Sequence, residues 1–575
     1  MIIMQNENPM FFFFSYPLPK NPHTEAWLSD IRPVAEKLYG EPIKALPYTA
    51  FRLFHETGSR SEYETEYMQH RKMLCAFGAM VLSAEDNERW VPKLCDLLWA
   101  ICDEYTWALP AHIAHHETPE RTVTVIDLFA SETGMALAEL VSVVSPVLPE
   151  DVAARVRYEI ERRIVAPYLA GRPRFGKSNW SAVCACGVGA AMIRMGYDDA
   201  FETVKTSLYA NLQDFLDSYL EDGCCMEGSL YWAYGFGFFC YFAELLYEYT
   251  DGTVDYFADE KVKKIAFFGP NSYLSGNRVI SFSDSPHTLK FDSGLWSLLA
   301  RKYPGFPVPD ERYANRFGDD LRYRFASFIR SLYWGGALYA RSEEKRGGEM
   351  IYYDRAAWYI VKGAGKSGFA FAAKAGCNSE PHNHNDVGSF LLLDGDDFIL
   401  DDVGWASYTK EYFNPAKRYG EIFCTASFGH SVPIVDGMPQ KFGREFTGRV
   451  LRADKDGFAL EFAGVYGLPS LERLERVFAL KENGLVIRDA AKGTFGRFTE
   501  RFVTRVRPVI DGETGTVRIG AYTFTCDKPA RITISDIQFE PRFVNIGGKQ
   551  AVETAYRIDF EFGAFSEAEF CLLRE

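Results

Sequence analysis

The stretch PHNHNDVGSFLLL, residues 381–393, is the part of the sequence that says most about the fold and the site. Two of the ten histidines, His382 and His384, stand two positions apart in it and lead into an apolar run. Residues i and i+2 of a β-strand point to the same face. The spacing therefore predicts a strand that aims both imidazoles at one spot, with Asn383 and Asn385 facing the other way.

Two further polar residues border apolar runs downstream. Asp402 follows the run that ends at Leu400, and His430 precedes the run that ends at Val435. A His, an Asp and a second His reaching in from three strands form a ligand set expected of zinc or a similar divalent ion. The alternative, hydrogen-bonded core histidines, stays open because only the fold brings the three strands together.

The periodicity of the chain changes near its middle. From about Thr24 to about Trp334 apolar residues recur at helical spacing, as in 90–101 and 152–164, with no interleaved strands. This series predicts paired helices packed as a solenoid or closed toroid. From about Ile351, short apolar runs between turn residues predict an antiparallel β-sandwich.

A charged, glycine-bearing stretch at residues 343–348 separates the two patterns. We therefore predict a multidomain α+β protein with a helical (α/α) domain over residues 1–345. Residues 346–575 are predicted to form the β-sandwich domain, which carries the His-x-His strand.

Composition bounds the function. The chain has 575 residues, enough for more than one domain with a large core. Its net charge of −15 argues against nucleic acid or an anionic membrane as the main partner. It still permits an anionic substrate in a locally basic cleft. The twelve cysteines lack zinc-ribbon spacing and are predicted to be reduced and mostly buried.

The apolar run at residues 10–14 is too short to span a bilayer, and no basic residues or small-residue cleavage site flank it. This makes a poor signal peptide, so a cytoplasmic location is expected. A periplasmic or secreted location stays open, and the sequence does not predict an oligomeric state.

A second group of polar and aromatic residues lies in the helical half, around residues 172–180. Arg172, Arg174 and Lys177 supply three cations just before Asn179 and Trp180. An acidic sugar needs basic residues, hydrogen-bonding amides and aromatic platforms. We therefore predict that this loop binds the substrate.

The stretch at residues 222–235 adds an acid and several aromatic rings. On a helix, Tyr231 would share a face with Glu227 and Tyr234, because i+3 and i+4 neighbours are adjacent. Trp107 and His112 form a weaker patch that we place in the same predicted cleft. Core packing is the competing interpretation for these aromatic residues.

Together these stretches resemble the heparinase II/III-like polysaccharide lyases. The resemblance covers most of the chain and rests on motifs in the same order, at 178–180, 222–234, 382–386, 402–404 and 429–437. It implies an incomplete (α/α) toroid followed by an antiparallel β-sandwich. It also implies a carbon–oxygen lyase that cleaves a uronic-acid polysaccharide or oligosaccharide by β-elimination and leaves an unsaturated uronate end.

The expected substrates are glycosaminoglycans such as hyaluronan, chondroitin or heparan sulfate, with alginate-type polyuronates as the second choice. By resemblance, Asn179 neutralises the substrate carboxylate, Tyr231 is the catalytic tyrosine and His382 is its histidine partner. Our hypothesis is that Tyr231 protonates the leaving oxygen and also takes the C5 proton, with His382 the base for the opposite epimer. One departure is Trp180, which stands where some relatives have a histidine.

The same resemblance makes His384, Asp402 and His430 the ligands of one structural divalent metal. Zinc is the first choice, and manganese or calcium are the alternatives. Asp401 competes with Asp402, which is preferred because it occupies the Asp-x-Gly position.

Three other functions stay open. A glycoside hydrolase could use Asp222 and Glu227 as a carboxylate pair, which would leave the histidines without a role. A non-catalytic carbohydrate-binding protein would bind sugar without turnover. A metallohydrolase would place water on the metal.

Overall fold

A computed structural model of the chain describes residues 14–338, 349–364, 368–406, 408–540 and 552–575. The first part of these residues is mainly helical and the second part is mainly β-sheet, as the sequence predicts. The apolar run at 10–14 falls almost wholly outside the described residues. So does the predicted domain boundary between residues 345 and 346, which stays a prediction.

Helices occupy most of the chain up to Trp334. They are α1 (Pro22–Tyr39), α2 (Tyr48–Thr57), α3 (Ser61–Leu82), α4 (Asn87–Asp103), α5 (Pro119–Val123), α6 (Leu128–Val144), α7 (Glu150–Ile160), α8 (Ala166–Gly171), α9 (Asn179–Met195), α10 (Asp198–Leu216), α11 (Ser229–Tyr231), α12 (Gly237–Tyr249), α13 (Glu260–Ser272), α14 (Ser293–Lys302) and α15 (Phe325–Trp334), with α16 (Pro415–Gly420) in the second part.

Local signals explain how individual helices begin and end. α1 starts with a capping box in which Asn21 and Thr24 satisfy each other's backbone N–H groups. α9 ends at Gly196, whose φ of 68° is the left-handed conformation that glycine adopts without strain. The predicted helix at 152–164 begins as α7 and continues as a π-helix over Glu161–Val165.

The prediction that no strands interrupt the helical half is wrong. β1 (Tyr273–Ser275) and β2 (Arg278–Val279) form a two-stranded antiparallel sheet there. Such short strands leave no alternating pattern long enough to read from the sequence.

Antiparallel strands fill the second part. They are β3 (Glu349–Tyr353), β4 (Trp358–Ala364), β5 (Phe369–Lys374), β6 (Cys377–Asn378), β7 (Phe390–Asp394), β8 (Asp397–Leu400), β9 (Ile434–Val435), β10 (Gly443–Thr447), β11 (Arg449–Asp454), β12 (Gly457–Glu461), β13 (Leu471–Lys481), β14 (Gly484–Gly493), β15 (Phe498–Thr504), β16 (Pro508–Asp511), β17 (Thr516–Ile519), β18 (Tyr522–Cys526), β19 (Arg531–Phe539), β20 (Glu553–Phe562) and β21 (Glu567–Arg574).

Among the described residues, β6 and β10 form a two-stranded sheet, and three larger sheets make up most of the second part. Their strand orders are β3-β4-β5-β7-β8, β19-β20-β15-β9 and β11-β12-β13-β14-β21-β18-β17-β16. Side chains from all three sheets, including Phe371, Phe478 and Phe502, belong to one buried apolar core. Residues of β7 and β8 belong to this core, and the loops next to these two strands carry His382, His384 and Asp402.

The chain divides into two compact units that do not follow the sequence strictly. Unit 1 contains the described residues of Met1–Tyr219, Ala233–Ala266 and Lys290–Ser342. Unit 2 contains those of Glu343–Glu575 together with two segments of the helical half, Leu220–Trp232 and Phe267–Leu289. Within the residues described, no helix is long and apolar enough to cross a membrane.

Candidate active site and metal centre

A buried carboxylate, Asp284, is the centre of the polar cluster in unit 2. It lies in the segment after β2 and is fully buried. Its two oxygens accept hydrogen bonds from five side chains: His382 Nδ1 at 2.6 Å, His384 Nε2 at 3.0 Å, Tyr408 OH at 2.8 Å, Arg418 Nη2 at 3.0 Å, and Tyr412 OH. Burial alone would raise the pKa of Asp284. The hydrogen bonds from the two histidines and the charge of Arg418 lower it well below its usual value.

The histidine run is a turn and not a strand, which corrects the sequence prediction. Residues 381–389 lie between β6 and β7 without strand geometry, and His382 has a φ of +53°. The two imidazoles still converge, but on the carboxylate of Asp284. Arg418 fixes this turn by donating hydrogen bonds to the backbone carbonyls of His382 and Asn383.

Tyr231, His382 and Tyr408 form a stacked and hydrogen-bonded group. The rings of Tyr231 and His382 stack with centroids 4.3 Å apart, and the hydroxyls of Tyr231 and Tyr408 are 2.7 Å apart. Because the Tyr408 hydroxyl donates to Asp284, its oxygen is left to accept from Tyr231. A chain of hydrogen bonds thus runs from Tyr231 through Tyr408 to Asp284.

The backbone around Tyr231 is tightly constrained. Tyr231 ends the short helix α11, which continues as a π-helix over Trp232–Phe236, a form often found at functional sites. Gly228 precedes α11 with a φ of +94°, and a Cβ there would lie 2.6 Å from Cβ of Ser285. Only glycine meets both requirements.

Glu227 was predicted to share a helix face with Tyr231, and this prediction is wrong. Glu227 lies in the turn before α11, because Gly228 breaks the helix. The acid nevertheless reaches the site, with Oε2 3.8 Å from Nε2 of His382. Its carboxylate therefore lies beside Nε2 of His382, the ring nitrogen that is not bonded to Asp284.

His384, Asp402 and His430 come together, as the family resemblance implied. All three are buried, and one donor atom of each lies within 4.8 Å of the others. Nδ1 of His384 and Nε2 of His430 are buried and have no hydrogen-bond partner among the described residues. Two orphaned imidazole nitrogens beside a carboxylate fit a bound divalent cation, which would supply the missing partner.

The hydrogen bonds around these residues favour Asp402 over Asp401 as the third ligand. Asp401 is bonded to His287 and Arg505, at 3.0 and 2.8 Å. Asp402 Oδ2 instead lies 2.7 Å from Nδ1 of His430. Burial lowers the pKa of His430, but the carboxylates of Asp402 and Asp386 together raise it above its usual value. Asp402 and His430 lie in loops beside β8 and β9, so strand ends and not strands present the ligands.

Asn179 and Trp180 begin helix α9 in unit 1. The Asn179 side chain packs so closely on Gly235 that a Cβ there would lie 1.9 Å from Oδ1. The Trp180 ring meets the ring of His112 edge-on at 4.8 Å, and His112 Nδ1 lies 2.7 Å from Asp127 Oδ2. Asp127 therefore fixes the histidine on which Trp180 rests.

Tyr234 contacts a buried acid in unit 1. Its hydroxyl donates to Oε1 of Glu132 at 2.5 Å, and the guanidinium of Arg324 lies over its ring at 4.2 Å. Burial raises the pKa of Glu132 to about 7, although the charge of Arg324 opposes the shift. Sequence reasoning found Tyr234 but neither of its partners.

Trp107 does not belong to the cleft that the sequence suggested. It is fully buried, and its indole N–H donates to the carbonyl of Ile101 at 2.9 Å. A ring with no exposed surface packs the core and cannot hold a sugar.

The three cations of the 172–178 loop are exposed, and two of them are paired. Arg174 donates to Asp214 through Nε at 2.8 Å and also through Nη2. Lys177 Nζ lies 3.3 Å from Asp217. Arg172 makes no ion pair with any described residue. The loop therefore offers less free positive charge than its sequence suggests.

The sequence did not reveal Asp284, Tyr408, Tyr412 or Arg418. Asp284 stands alone between two serines, and its partners lie more than ninety positions along the chain. The other three occur at irregular intervals in the stretch that leads into α16, without a pattern. A run of aromatic and basic residues right after the metal-ligand motif was the available signal.

The fold is shared with solved glycosaminoglycan lyases. Heparinase III, the BT4657 gene product, has a TM-score of 0.62 at 12% identity, covering 97% of this chain and 85% of its own. Heparan sulfate lyase HepC from Pedobacter heparinus has a TM-score of 0.60 at 14% identity, with coverages of 96% and 88%. Chondroitin AC lyase from Streptomyces coelicolor A3, solved with chondroitin sulphate, has a TM-score of 0.57 at 11% identity, with coverages of 98% and 81%.

This chain has the fold of these lyases. No protein-family model and no curated protein matches the sequence. The similarity to the first two lyases covers 97% and 96% of this chain, so it includes both the helical part and the β part.

Proposed function

We propose that the protein is a polysaccharide lyase that cleaves uronic-acid-containing glycans by β-elimination. We place it with the heparinase II/III-like lyases, with the helices paired as an incomplete (α/α) toroid and the sheets stacked as an antiparallel sandwich. The shared fold and the single apolar core beneath all three sheets support this placement.

The observation that carries the proposal is the Tyr231–His382 stack beside the hydrogen-bonded chain to Asp284. Elimination needs a group that removes the C5 proton and a group that protonates the leaving glycosidic oxygen. Tyrosine and histidine can do both, and here they lie with ring centroids 4.3 Å apart although they are distant in sequence. Both rings are only partly buried and both are linked by hydrogen bonds to the buried carboxylate of Asp284, an arrangement that suits proton transfer better than core packing.

Tyr408 is the added element of the mechanism. The Tyr408 hydroxyl accepts from Tyr231 and donates to Asp284, over contacts of 2.7 and 2.8 Å, and so orients the hydroxyl of Tyr231. Because the pKa of Asp284 is held well below its usual value, this carboxylate stays ionised and anchors the two tyrosines, while Tyr231 donates its own proton to the leaving oxygen. Asp284 also holds Nδ1 of His382, so that Nε2 is the nitrogen left for the substrate.

The C5 proton is hard to remove because the adjacent carboxylate is already anionic. A donor that stabilises the extra charge on that carboxylate lowers the barrier. Asn179 is the residue to which we assign this task. The rings of Trp180 and Tyr234 are assigned to the sugar, with Arg172 and His112 as polar neighbours in unit 1.

The metal centre is proposed to bind zinc through His384, Asp402 and His430, with manganese or calcium less suited to two imidazoles. When bound, the ion would have a structural role and would hold the two histidine-bearing loops together. His384 also donates to Asp284 at 3.0 Å, so a fixed His384 keeps Asp284 in place for Tyr408 and His382.

Asp222 is poorly placed to serve as one of the two carboxylates of a glycoside hydrolase. One oxygen of Asp222 accepts the backbone N–H groups of Arg355 and Ala356, at 2.8 and 2.9 Å, and the other accepts that of Cys224 at 3.1 Å. An acid bound in this way braces a turn. It is not free to move protons for a glycosidic bond.

The experiment is an ultraviolet assay of the purified protein on hyaluronan, chondroitin, heparan sulfate and alginate. A lyase produces rising absorbance from a new C4–C5 double bond in step with chain cleavage. New reducing ends without that absorbance would establish hydrolysis and refute the proposal.

A further inference from the structure

We infer that His55 and His115 form a second metal site, which lies at the surface of unit 1 and takes a divalent transition-metal ion such as zinc, copper or nickel. The buried centre of His384, Asp402 and His430 belongs to unit 2, so the two sites share no residue. The surface site does not depend on the proposed lyase activity.

The rings of His55 and His115 have the spacing of two imidazoles that share one metal ion. Their centroids lie 5.0 Å apart, and the ring planes are inclined by 41°. In the buried centre, the rings of His384 and His430 lie 5.3 Å apart and are inclined by 47°. A tetrahedral ion with metal–nitrogen distances of about 2.0–2.1 Å places two imidazole centroids roughly 5 Å apart. The spacing of the surface pair therefore suits one shared ion.

A tight turn presents His115 to the solvent. The carbonyl of Ala114 accepts the N–H of Glu117 at 3.2 Å, so His115 and His116 are the two central residues of this turn. Both side chains are exposed, and their ring centroids lie 3.6 Å apart. His116 has a φ of +66°, a conformation that glycine or asparagine usually supplies at this place in a turn. Two imidazoles thus stand at the tip of a turn whose backbone favours a different residue.

Helix α2 supplies the other ligand. His55 lies in the last turn of α2 and is half-buried. Its ring meets the ring of Phe54 edge-on at 5.6 Å, and the ring of Phe51 lies 6.5 Å away. These aromatic neighbours limit the movement of His55, whereas the exposed side chain of His115 can rotate towards it. One ligand is therefore largely pre-positioned, and the turn brings the second.

The ligand type selects the ion. Imidazole suits zinc, copper and nickel, whereas calcium and magnesium take oxygen ligands. Glu117, the acid of the turn, accepts the backbone N–H of Thr118 at 3.2 Å and lies 3.5 Å from Nε of Arg121. Two exposed imidazoles with water in the remaining positions bind an ion more weakly than three buried ligands. Dialysis should therefore empty this site and leave the buried ion in place.

The test is equilibrium dialysis against Ni²⁺, with the protein purified without an affinity tag and kept at about pH 7.5, where imidazoles are largely neutral. The wild type should bind about one exchangeable Ni²⁺ per chain. His55→Ala and His115→Ala should each weaken this binding by at least about tenfold, because even the loss of an outer partner of a metal ligand costs that much. His430→Ala should keep the exchangeable Ni²⁺, which distinguishes this site from the buried centre.

His116→Asn is the matched control. It removes a neighbouring exposed imidazole from the same turn, and asparagine accepts the positive φ of this position. The affinity of this variant for Ni²⁺ should stay close to that of the wild type.

Electron paramagnetic resonance with Cu²⁺ in place of Ni²⁺ identifies the ligands directly. The wild-type spectrum should show nitrogen couplings from two imidazoles, and the spectra of His55→Ala and His115→Ala should show one imidazole fewer. A wild type without exchangeable Ni²⁺ overturns the inference. So does binding by His55→Ala and His115→Ala that is as tight as binding by His116→Asn.

Discussion

Two polar regions of this molecule look alike in sequence and differ in structure. The turn at 381–389 and the loop at 172–178 are both rich in polar side chains. In the first, the histidines converge on one buried carboxylate, and Nδ1 of His384 is left to face a metal together with Nε2 of His430 from another loop. In the second, the cations lie at the surface and two of them are paired with acids of the next helix.

The difference separates a buried cluster of fixed hydrogen bonds from ion pairs that lie in water. Asp284 is buried and its five donors are fixed, so each of its hydrogen bonds is strong and its loss is costly. The pairs of Arg174 and Lys177 are screened by water and contribute little to stability. Variants in the two regions should therefore differ in the size and in the kind of their effects.

The largest effect is expected from Asp284→Asn. This variant leaves buried Arg418 without its charged partner and should lower the free energy of unfolding by about 3–5 kcal/mol. Turnover should be lost with it, because His382 loses its orienting carboxylate. Denaturant unfolding is the measurement, with Asp214→Asn as the control, which should cost less than about 1 kcal/mol. Equal losses for the two variants would erase the contrast.

The Tyr231→Phe variant should have the second largest effect. Removing one hydroxyl leaves the ring stack intact but takes away the proposed acid and base, so kcat should fall by about 10²–10⁴-fold with unchanged circular dichroism. Tyr408→Phe should lower kcat less, since it removes only the hydrogen bond that orients the Tyr231 hydroxyl. Tyr158→Phe, exposed on α7, is the control and should be silent. Near-normal turnover of Tyr231→Phe would remove the tyrosine from the mechanism.

Metal removal should have an intermediate effect on stability. At a free zinc concentration of about 100 times the dissociation constant, removal of zinc lowers the free energy of unfolding by about 2.7 kcal/mol. Atomic absorption should find about one zinc per chain in the wild type and far less in His430→Ala. A chelator should lower the melting temperature of the wild type but not of the variant. An equal effect on both would place the metal elsewhere.

Glu132 gives a smaller effect that depends on pH. Its pKa rises from 4.5 to about 7 on folding, so the folded chain keeps a proton in this window that the unfolded chain releases. The contribution of Glu132 is therefore fully present below about pH 4.5 and is lost as pH rises through about 7.

The Glu132→Gln variant should not lose this stability as the pH rises, because glutamine does not titrate. Between about pH 4.5 and 8, the variant should gain about 1–3 kcal/mol in stability relative to the wild type. Thermal unfolding at the two pH values measures it. Parallel curves for the two proteins would show that Glu132 is ionised throughout.

The sequence predicted the groups whose pattern is local and missed those that tertiary contacts create. The two-part fold follows from a change of periodicity. Polar residues beside apolar runs suggested a His, Asp and His ligand set, and the resemblance to a known family singled out His384, Asp402 and His430. The partners could not be read in this way. Asp284 has no neighbouring motif, and the acids that neutralise Arg174 and Lys177 stand some forty positions away on α10.

Local conformation also limited the predictions. The spacing of His382 and His384 matched a strand, but a left-handed residue at His382 turns the chain and produces the same convergence by another route. Gly228 likewise stops the helix that would have carried Glu227. The left-handed conformation of His382 runs against the preference of a residue with a side chain, and packing imposes it. The break at Gly228 instead agrees with the preference of glycine, so that local signal was overlooked.

The most direct test of the central claim is the fate of water during cleavage. The protein would be incubated with its best polymer in oxygen-18 water, and the products would be weighed by mass spectrometry. Elimination predicts unsaturated products with no labelled oxygen introduced at the cleaved bond, formed at least about 100-fold more slowly by Tyr231→Phe. Saturated products that carry one labelled oxygen per cleavage would show hydrolysis and contradict the account.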